Sequence, residues 1–134
     1  MPRSIKQEVV IAADTESVYE ALMDSRMHRA FTGAPARVSK KVGGAVSCYD
    51  GYISAVNIEL EPNKRIVQAW RGKNWKAGVW SVVTFNLKKR GKTKTTLAFT
   101  QYGVPDDKYA DINKGWKSHY WSKLNDYFSK KNSK

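Results

Sequence analysis

The sequence holds one cysteine, Cys48, in 134 residues. A single thiol builds no internal disulfide framework, and no CxxC pair offers a zinc site. A reducing compartment fits this, so the expected location is cytoplasmic. Histidine is nearly as scarce, with His28 and His119 alone. No GxSxG, HExxH, P-loop or GxGxxG motif is present. Neither a metal nor a cofactor is expected. No apolar run approaches the roughly 18 residues of a membrane span. The start, Met1-Pro2-Arg3-Ser4-Ile5, has no long apolar stretch after its one basic residue, so no signal peptide is expected. No segment repeats at a period of about 20–50 residues. Acid is short as well. Lys and Arg total 24 against 12 Asp and Glu, for a net charge of +12. From Pro62 to Pro105 there are ten basic residues and no acidic one. Such a surface is drawn to phosphate, anionic lipid or acidic protein.

What the chain does have is aromatic rings: five Trp, seven Tyr and four Phe. Its length fits one domain, residues 1–134, with a core large enough to bury them. Ser4 to Ile11 alternates as a strand. Asp14 or Thr15 caps a short amphipathic helix over 15–23. A second short helix spans 25–31 and breaks at Thr32-Gly33-Ala34-Pro35. From Ala36 the period is two, predicting strands at 36–40, 45–49, 52–60, 65–71, 79–88 and 93–102. Tyr49-Asp50-Gly51-Tyr52 reads as a two-residue Asp-Gly hairpin with positive φ at both central positions. Glu61-Pro62-Asn63-Lys64 reads as a type I turn.

After Pro105, Asp106 and Asp107 open a long helix over 106–129. Its stripe is Ile112, Trp116, Tyr120, Leu124 and Tyr127, down to Phe128. Lys130, Lys131 and Lys134 form a basic tail expected to fray. A meander with one face to bury and a helix with one apolar stripe predict an α+β fold. The curved antiparallel sheet grips the terminal helix, in the order β-α-α-β6-α.

Several stretches then resemble, in order over roughly residues 4–128, a known family. They are Phe31-Thr32-Gly33-Ala34-Pro35-Ala36, Gly43-Gly44, Tyr49-Asp50-Gly51-Tyr52-Ile53 and Pro62 to Arg71. Trp75, Ser81, Val83-Thr84-Phe85, Gly103-Val104-Pro105, Gly115-Trp116 and Tyr120 follow. The chain is similar to homologues of the activator of heat-shock protein 90 ATPase, in the START-like (SRPBCC) helix-grip superfamily. The resemblance implies the helix-grip fold and a cavity between sheet and C-terminal helix that often holds an apolar molecule. It covers only the C-terminal domain of the two-domain eukaryotic activators. Ala45 and Val46 depart from the family's tendency to a basic residue and Phe.

Two sets of candidate residues follow. If the alternating strands face the helix stripe, an apolar ligand would meet Gln68, Trp70, Ser81, Val83, Phe85, Phe99, Gln101, Ile112, Trp116 and Tyr120. Polar groups dotted through an apolar lining are what small-molecule sites look like. The alternative is that the rings fill the space and the amides pair with backbone or water. The second set is a basic surface: Lys73, Trp75, Lys76, Lys88, Lys89, Arg90 and Lys92. It suits an acidic protein partner such as a heat-shock chaperone. Trp75 is either a contact there or a lid over the sheet end. No recognition signature accompanies the charge, so no specific nucleic acid is expected. Trp80 and Trp121, were both exposed, would form a surface patch.

No catalytic residue is expected. A Cys48–His119 pair needs only spatial proximity, but no activating motif surrounds Cys48. Cyclase- or hydratase-type chemistry stays open only as a superfamily alternative. Gly115, in mid-helix, implies a close approach to the sheet or a bend that could shape a cavity mouth.

Overall fold

The computed structural model describes residues 2–132. Strand β1 (Arg3–Ile11) leads into α1 (Thr15–Met23) and α2 (Ser25–Thr32). Six strands follow: β2 (Ala36–Val38), β3 (Ala45–Cys48), β4 (Ile53–Glu61), β5 (Arg65–Gly72), β6 (Ser81–Arg90) and β7 (Lys94–Val104). The C-terminal helix begins with a 3-10 turn, Asp106–Lys108, and continues as α3 (Tyr109–Gly115). It winds as a π segment over Trp116–Trp121 and ends as α4 (Ser122–Asn132).

All seven strands form one antiparallel sheet in the order β1-β7-β6-β5-β4-β3-β2. The meander from β2 to β7 is thus extended by β1, which pairs with β7 along its whole length. The sheet curves around the C-terminal helix, giving the α+β helix-grip architecture and its expected order.

Local chemistry sets the element ends. Asp14 caps α1 by accepting from Ser17 N at 2.8 Å, and the Ser17 hydroxyl together with this N–H holds its carboxyl below the usual range. Asp24 serves two helices. Its N–H donates to Glu20 O at the end of α1, and its carboxylate accepts from Met27 N at 3.0 Å to start α2. Gly33, at φ 76°, closes α2 in the left-handed conformation.

The hairpins partly follow expectation. Asp50 and Gly51 have φ of 55° and 86°, as a two-residue turn requires, and Tyr49 adds a third positive φ of 52°. The Pro62 turn differs. Asn63 has φ 66°, so its backbone is that of a type II turn rather than type I. Lys130 and Lys131 lie within α4, where Lys131 Nζ is 5.2 Å from the Tyr127 ring centroid. Lys134 lies outside the described residues.

The core lies between the sheet's concave face and the helices. Period-two alternation sends Ile66, Gln68 and Trp70 inward from β5. Ser81, Val83, Phe85 and Leu87 follow from β6, and Leu97, Phe99 and Gln101 from β7. Trp116, Tyr120, Trp121, Leu124 and Phe128 meet them. Trp121 was not part of the sequence stripe. On a regular helix adjacent residues diverge by about 100°. The π segment widens the turn so that Tyr120 and Trp121 are both buried.

Candidate functional site

The inward strand residues and the helix meet in a dense aromatic cluster. The Phe99 and Trp116 rings lie 4.3 Å apart, and Trp116 stacks on Trp121 at 5.5 Å with a 20° interplanar angle. Phe85 is 5.2 Å from Phe99, and Trp70 is 5.6 Å from Trp116.

The polar residues among them satisfy one another. Trp116 Nε1 donates to Gln101 Oε1 at 2.8 Å, and Gln101 Nε2 donates to Ser81 Oγ at 3.0 Å. Ser81 Oγ donates in turn to Trp70 O at 2.8 Å. On the other side Gln68 Nε2 donates to Asn57 Oδ1 at 3.0 Å. Buried polar groups paired this way rigidify a core. One space left inside is a void of about 20 Å³. It touches Gln68, Trp70, Phe85, Trp116 and Tyr120, and it is the size of one water. Val46 also lines it, so the smaller side chain opens little room.

The void borders a buried trio. Cys48 Sγ lies 3.6 Å from His28 Nε2, and Tyr120 Oη lies 3.2 Å from the same nitrogen. The histidine beside Cys48 is therefore His28, not His119. Burial pushes the thiol up to about 11 and the imidazole down to about 4. Burial likewise raises the Tyr120 hydroxyl well above its ordinary value. All three groups are held neutral, so the thiol is not a thiolate and the pair is not an activated nucleophile.

A larger space lies at the mouth of the grip, between the Tyr49–Tyr52 turn and the C-terminal helix. This groove measures about 370 Å³, within the range of small-molecule sites. Its floor is the helix row Ile112, Trp116 and Tyr120, with Trp70 beneath. Its rim is the neighbouring row, Asp111, Gly115 and His119. Tyr49, Tyr52 and Ile53 form the facing wall. Tyr49 Oη donates to His119 O at 2.8 Å and Tyr52 Oη to Asn74 Oδ1 at 3.2 Å, so both rings are pinned. A Cβ on Gly115 would meet only His119 Cδ2, at 3.6 Å, an ordinary contact. Close approach to the sheet is thus not what requires glycine there. Its missing side chain leaves the rim low.

Of the ten cavity candidates, Trp70, Ile112, Trp116 and Tyr120 line this groove, and Gln68 and Phe85 reach only the small void. Ser81, Val83, Phe99 and Gln101 line neither. Sequence reasoning singled out Gly115 for a cavity mouth but missed the wall residues and, on the rim row, Asp111 and His119 as lining. The i, i+4 spacing of Asp111, Gly115 and His119 beside the apolar stripe was the available signal.

The basic candidates divide. Lys88, Lys89, Arg90, Lys92 and Lys94 are exposed at the β6–β7 tip and make no ion pair among the described residues. Lys73 and Lys76 lie in the β5–β6 connection, at the opposite end of β6. At about 3.3 Å per residue the ten residues of β6 hold the two groups roughly 30 Å apart, so they form no single face.

Trp75 is buried, with its ring 5.6 Å from Trp70 and its carbonyl accepting from Arg71 Nη2 at 2.7 Å. It is a lid. Trp121 is also buried, its Nε1 donating to Gln7 Oε1 at 2.7 Å. Trp80 is exposed beside Arg71, without Trp121. Among the described residues no cluster of His, Cys, Asp and Glu is placed to hold a metal. No helix there is long and apolar enough to cross a membrane.

Comparison with known proteins places this geometry. The family model described as Activator of Hsp90 ATPase homolog 1-like protein matches residues 12–129. An activator of 90 kDa heat shock protein ATPase homolog from Dictyostelium discoideum is 32% identical over 127 residues, 95% of this chain and 33% of its own length. The human activator homolog 1 is 30% identical over 114 residues, covering 84% of this chain and 33% of its own. The chain therefore spans about a third of the length of these relatives. The crystal structure of an HSP90 activator from Plasmodium falciparum superimposes with a TM-score of 0.87 at 22% identity, over 94% of this chain and 96% of that one. On the sequence match, supported by the shared fold, the chain belongs to the Activator of Hsp90 ATPase homolog 1-like family.

Proposed function

We propose that this domain is a non-catalytic interaction module of the chaperone-activator type, docking on an acidic surface of a heat-shock protein 90 chaperone. The observation that carries this is the β6–β7 tip. Five exposed cations, Lys88, Lys89, Arg90, Lys92 and Lys94, make no ion pair among the described residues. Unpaired charge concentrated on one tip steers association with a complementary surface. Family membership supplies the kind of partner. The non-catalytic reading is supported by the Cys48–His28 pair, whose groups are both neutral by burial. A pull-down with the organism's own chaperone tests the docking. Capture at low salt that falls as salt rises is expected, and absence of capture at low salt would contradict it.

A second reading has its own observation. The groove of about 370 Å³ at the helix mouth is bordered by rings with pinned orientations. It would take a small molecule with an apolar body. The packed interior shifts this ligand from between sheet and helix to the mouth. Gentle native mass spectrometry and displacement of an environment-sensitive dye test it. A bound mass or a displaced dye is expected, and dye signal unchanged by Gly115→Leu would contradict it.

A further inference from the structure

From the second reading above, on which the inference rests, we infer that the mouth groove selects an organic cation: an alkylated ammonium group on an apolar body. Three observations converge on that chemistry.

The first is the sign of the charge. The chain carries 24 Lys and Arg against 12 Asp and Glu. Yet the lining of this groove includes no Lys or Arg, and its one charged side chain at neutral His is Asp111. Asp111 makes no ion pair among the described residues. A carboxylate left unpaired on a strongly basic protein, at the edge of an apolar groove, favours a positive guest. An anionic guest would meet Asp111 with no Lys or Arg in the lining to offset it.

The second is the wall. Tyr49, Tyr52, Trp70, Trp116 and Tyr120 all border the space. Their polar ends are largely engaged elsewhere. Tyr49 Oη is bonded to His119 O, Tyr52 Oη to Asn74 Oδ1, and Trp116 Nε1 to Gln101 Oε1. Tyr120 Oη lies against His28 Nε2. What these residues have left to present is largely ring surface. The negative faces of aromatic rings attract desolvated alkylammonium groups, and several rings round one cation make a cage. Because their own hydrogen bonds fix the rings, little ordering is required on binding.

The third is Gly115. A mid-helix glycine is unfavourable relative to alanine. The space at its Cβ position is open to a side chain as small as alanine's. Packing against the sheet therefore gives no reason for glycine here. It stands on the rim row between Asp111 and His119, where a side chain would rise over the opening.

The test compares choline with its neutral isostere, 3,3-dimethylbutan-1-ol, titrated into the full chain. Tryptophan fluorescence and amide shifts of residues 111–120 report binding. Choline is expected to bind about tenfold more tightly than the alcohol. Asp111→Asn should narrow that difference by weakening choline more than the alcohol. Gly115→Leu should abolish both, with helical circular dichroism confirming the fold. Equal binding of choline and the alcohol would overturn the cation assignment and leave the groove reading standing. So would an unchanged preference in Asp111→Asn. Failure of both probes to shift residues 111–120 would overturn the groove reading along with it.

Discussion

His28 sits with its ring 4.9 Å from Phe31 and 5.5 Å from Tyr120, and its Nδ1 has no hydrogen-bond partner. Burial lowers its pKa from 6.5 to about 4. In this window the unfolded chain binds a proton that the native chain refuses. Stability therefore rises with pH from about 4 to 6.5 and loses His28's contribution as pH falls through that range. At about 1.4 kcal/mol per pKa unit, the histidine costs on the order of 3 kcal/mol at pH 4 relative to pH 7. His28→Phe should flatten the pH dependence of denaturant-derived stability between pH 4 and 6.5. A slope identical to wild type would show that His28 is not the group responsible. Trp75 and Gly72 give a second test at this scale. A Cβ on Gly72 would meet Trp75 Nε1 at 2.9 Å and Cδ1 at 3.1 Å. Gly72→Ala should displace the indole from its place over the sheet end. It should red-shift the tryptophan emission and cost about 1–3 kcal/mol in denaturation.

At the scale of elements, Asn57 ties three segments together. Its Nδ2 donates to Ser39 O at 2.7 Å and Lys41 O at 3.0 Å, and its Oδ1 accepts from Gln68. The backbone adds Asn57 N to Gly44 O and Gly43 N to Asn57 O. The β2–β3 connection thus hangs on a bulged position of β4. Asn57→Leu would leave the Gln68 amide without its Asn57 acceptor and two carbonyls without this donor. A loss of about 2–4 kcal/mol is expected in urea unfolding. A change below about 0.5 kcal/mol would contradict the role.

The same scale shows why some features were legible in the sequence and others were not. The inward faces of β5, β6 and β7 followed from period-two alternation, because one face of the sheet is buried and a slip would flip every side chain. The helix stripe was legible except at Trp121, because a 3.6-residue period carries no sign of the π segment that turns Trp121 inward. Asp50-Gly51 announced its turn through local chemistry. Tyr49 and Tyr52 became walls only through hydrogen bonds to His119 and Asn74, which are 70 and 22 residues away. Cys48 met His28 instead of His119 for the same reason. Pairings across the chain are set by the closed fold, and spacing does not encode them.

Across the whole molecule, the interior and the surface do different work. The interior is filled by rings and by amides that satisfy one another, so it serves as scaffold. The groove and the charge lie at its boundary. The acid-free stretch from Pro62 to Pro105 is split by topology, with one cation cluster at the β6–β7 tip and a smaller one in the β5–β6 connection. Docking through the tip alone makes the two clusters unequal. Lys73→Glu with Lys76→Glu should change chaperone affinity little. Reversal at the tip should change it strongly, and more so at low ionic strength.

The most direct test is a calorimetric titration of the purified chaperone with wild type and with Lys88→Glu/Lys89→Glu/Arg90→Glu, at about 50 and about 300 mM salt. Wild-type affinity should fall with salt, the triple reversal should lose at least about tenfold at the lower salt, and the gap should narrow at the higher. Equal affinities of the two proteins at low salt would contradict docking through the tip.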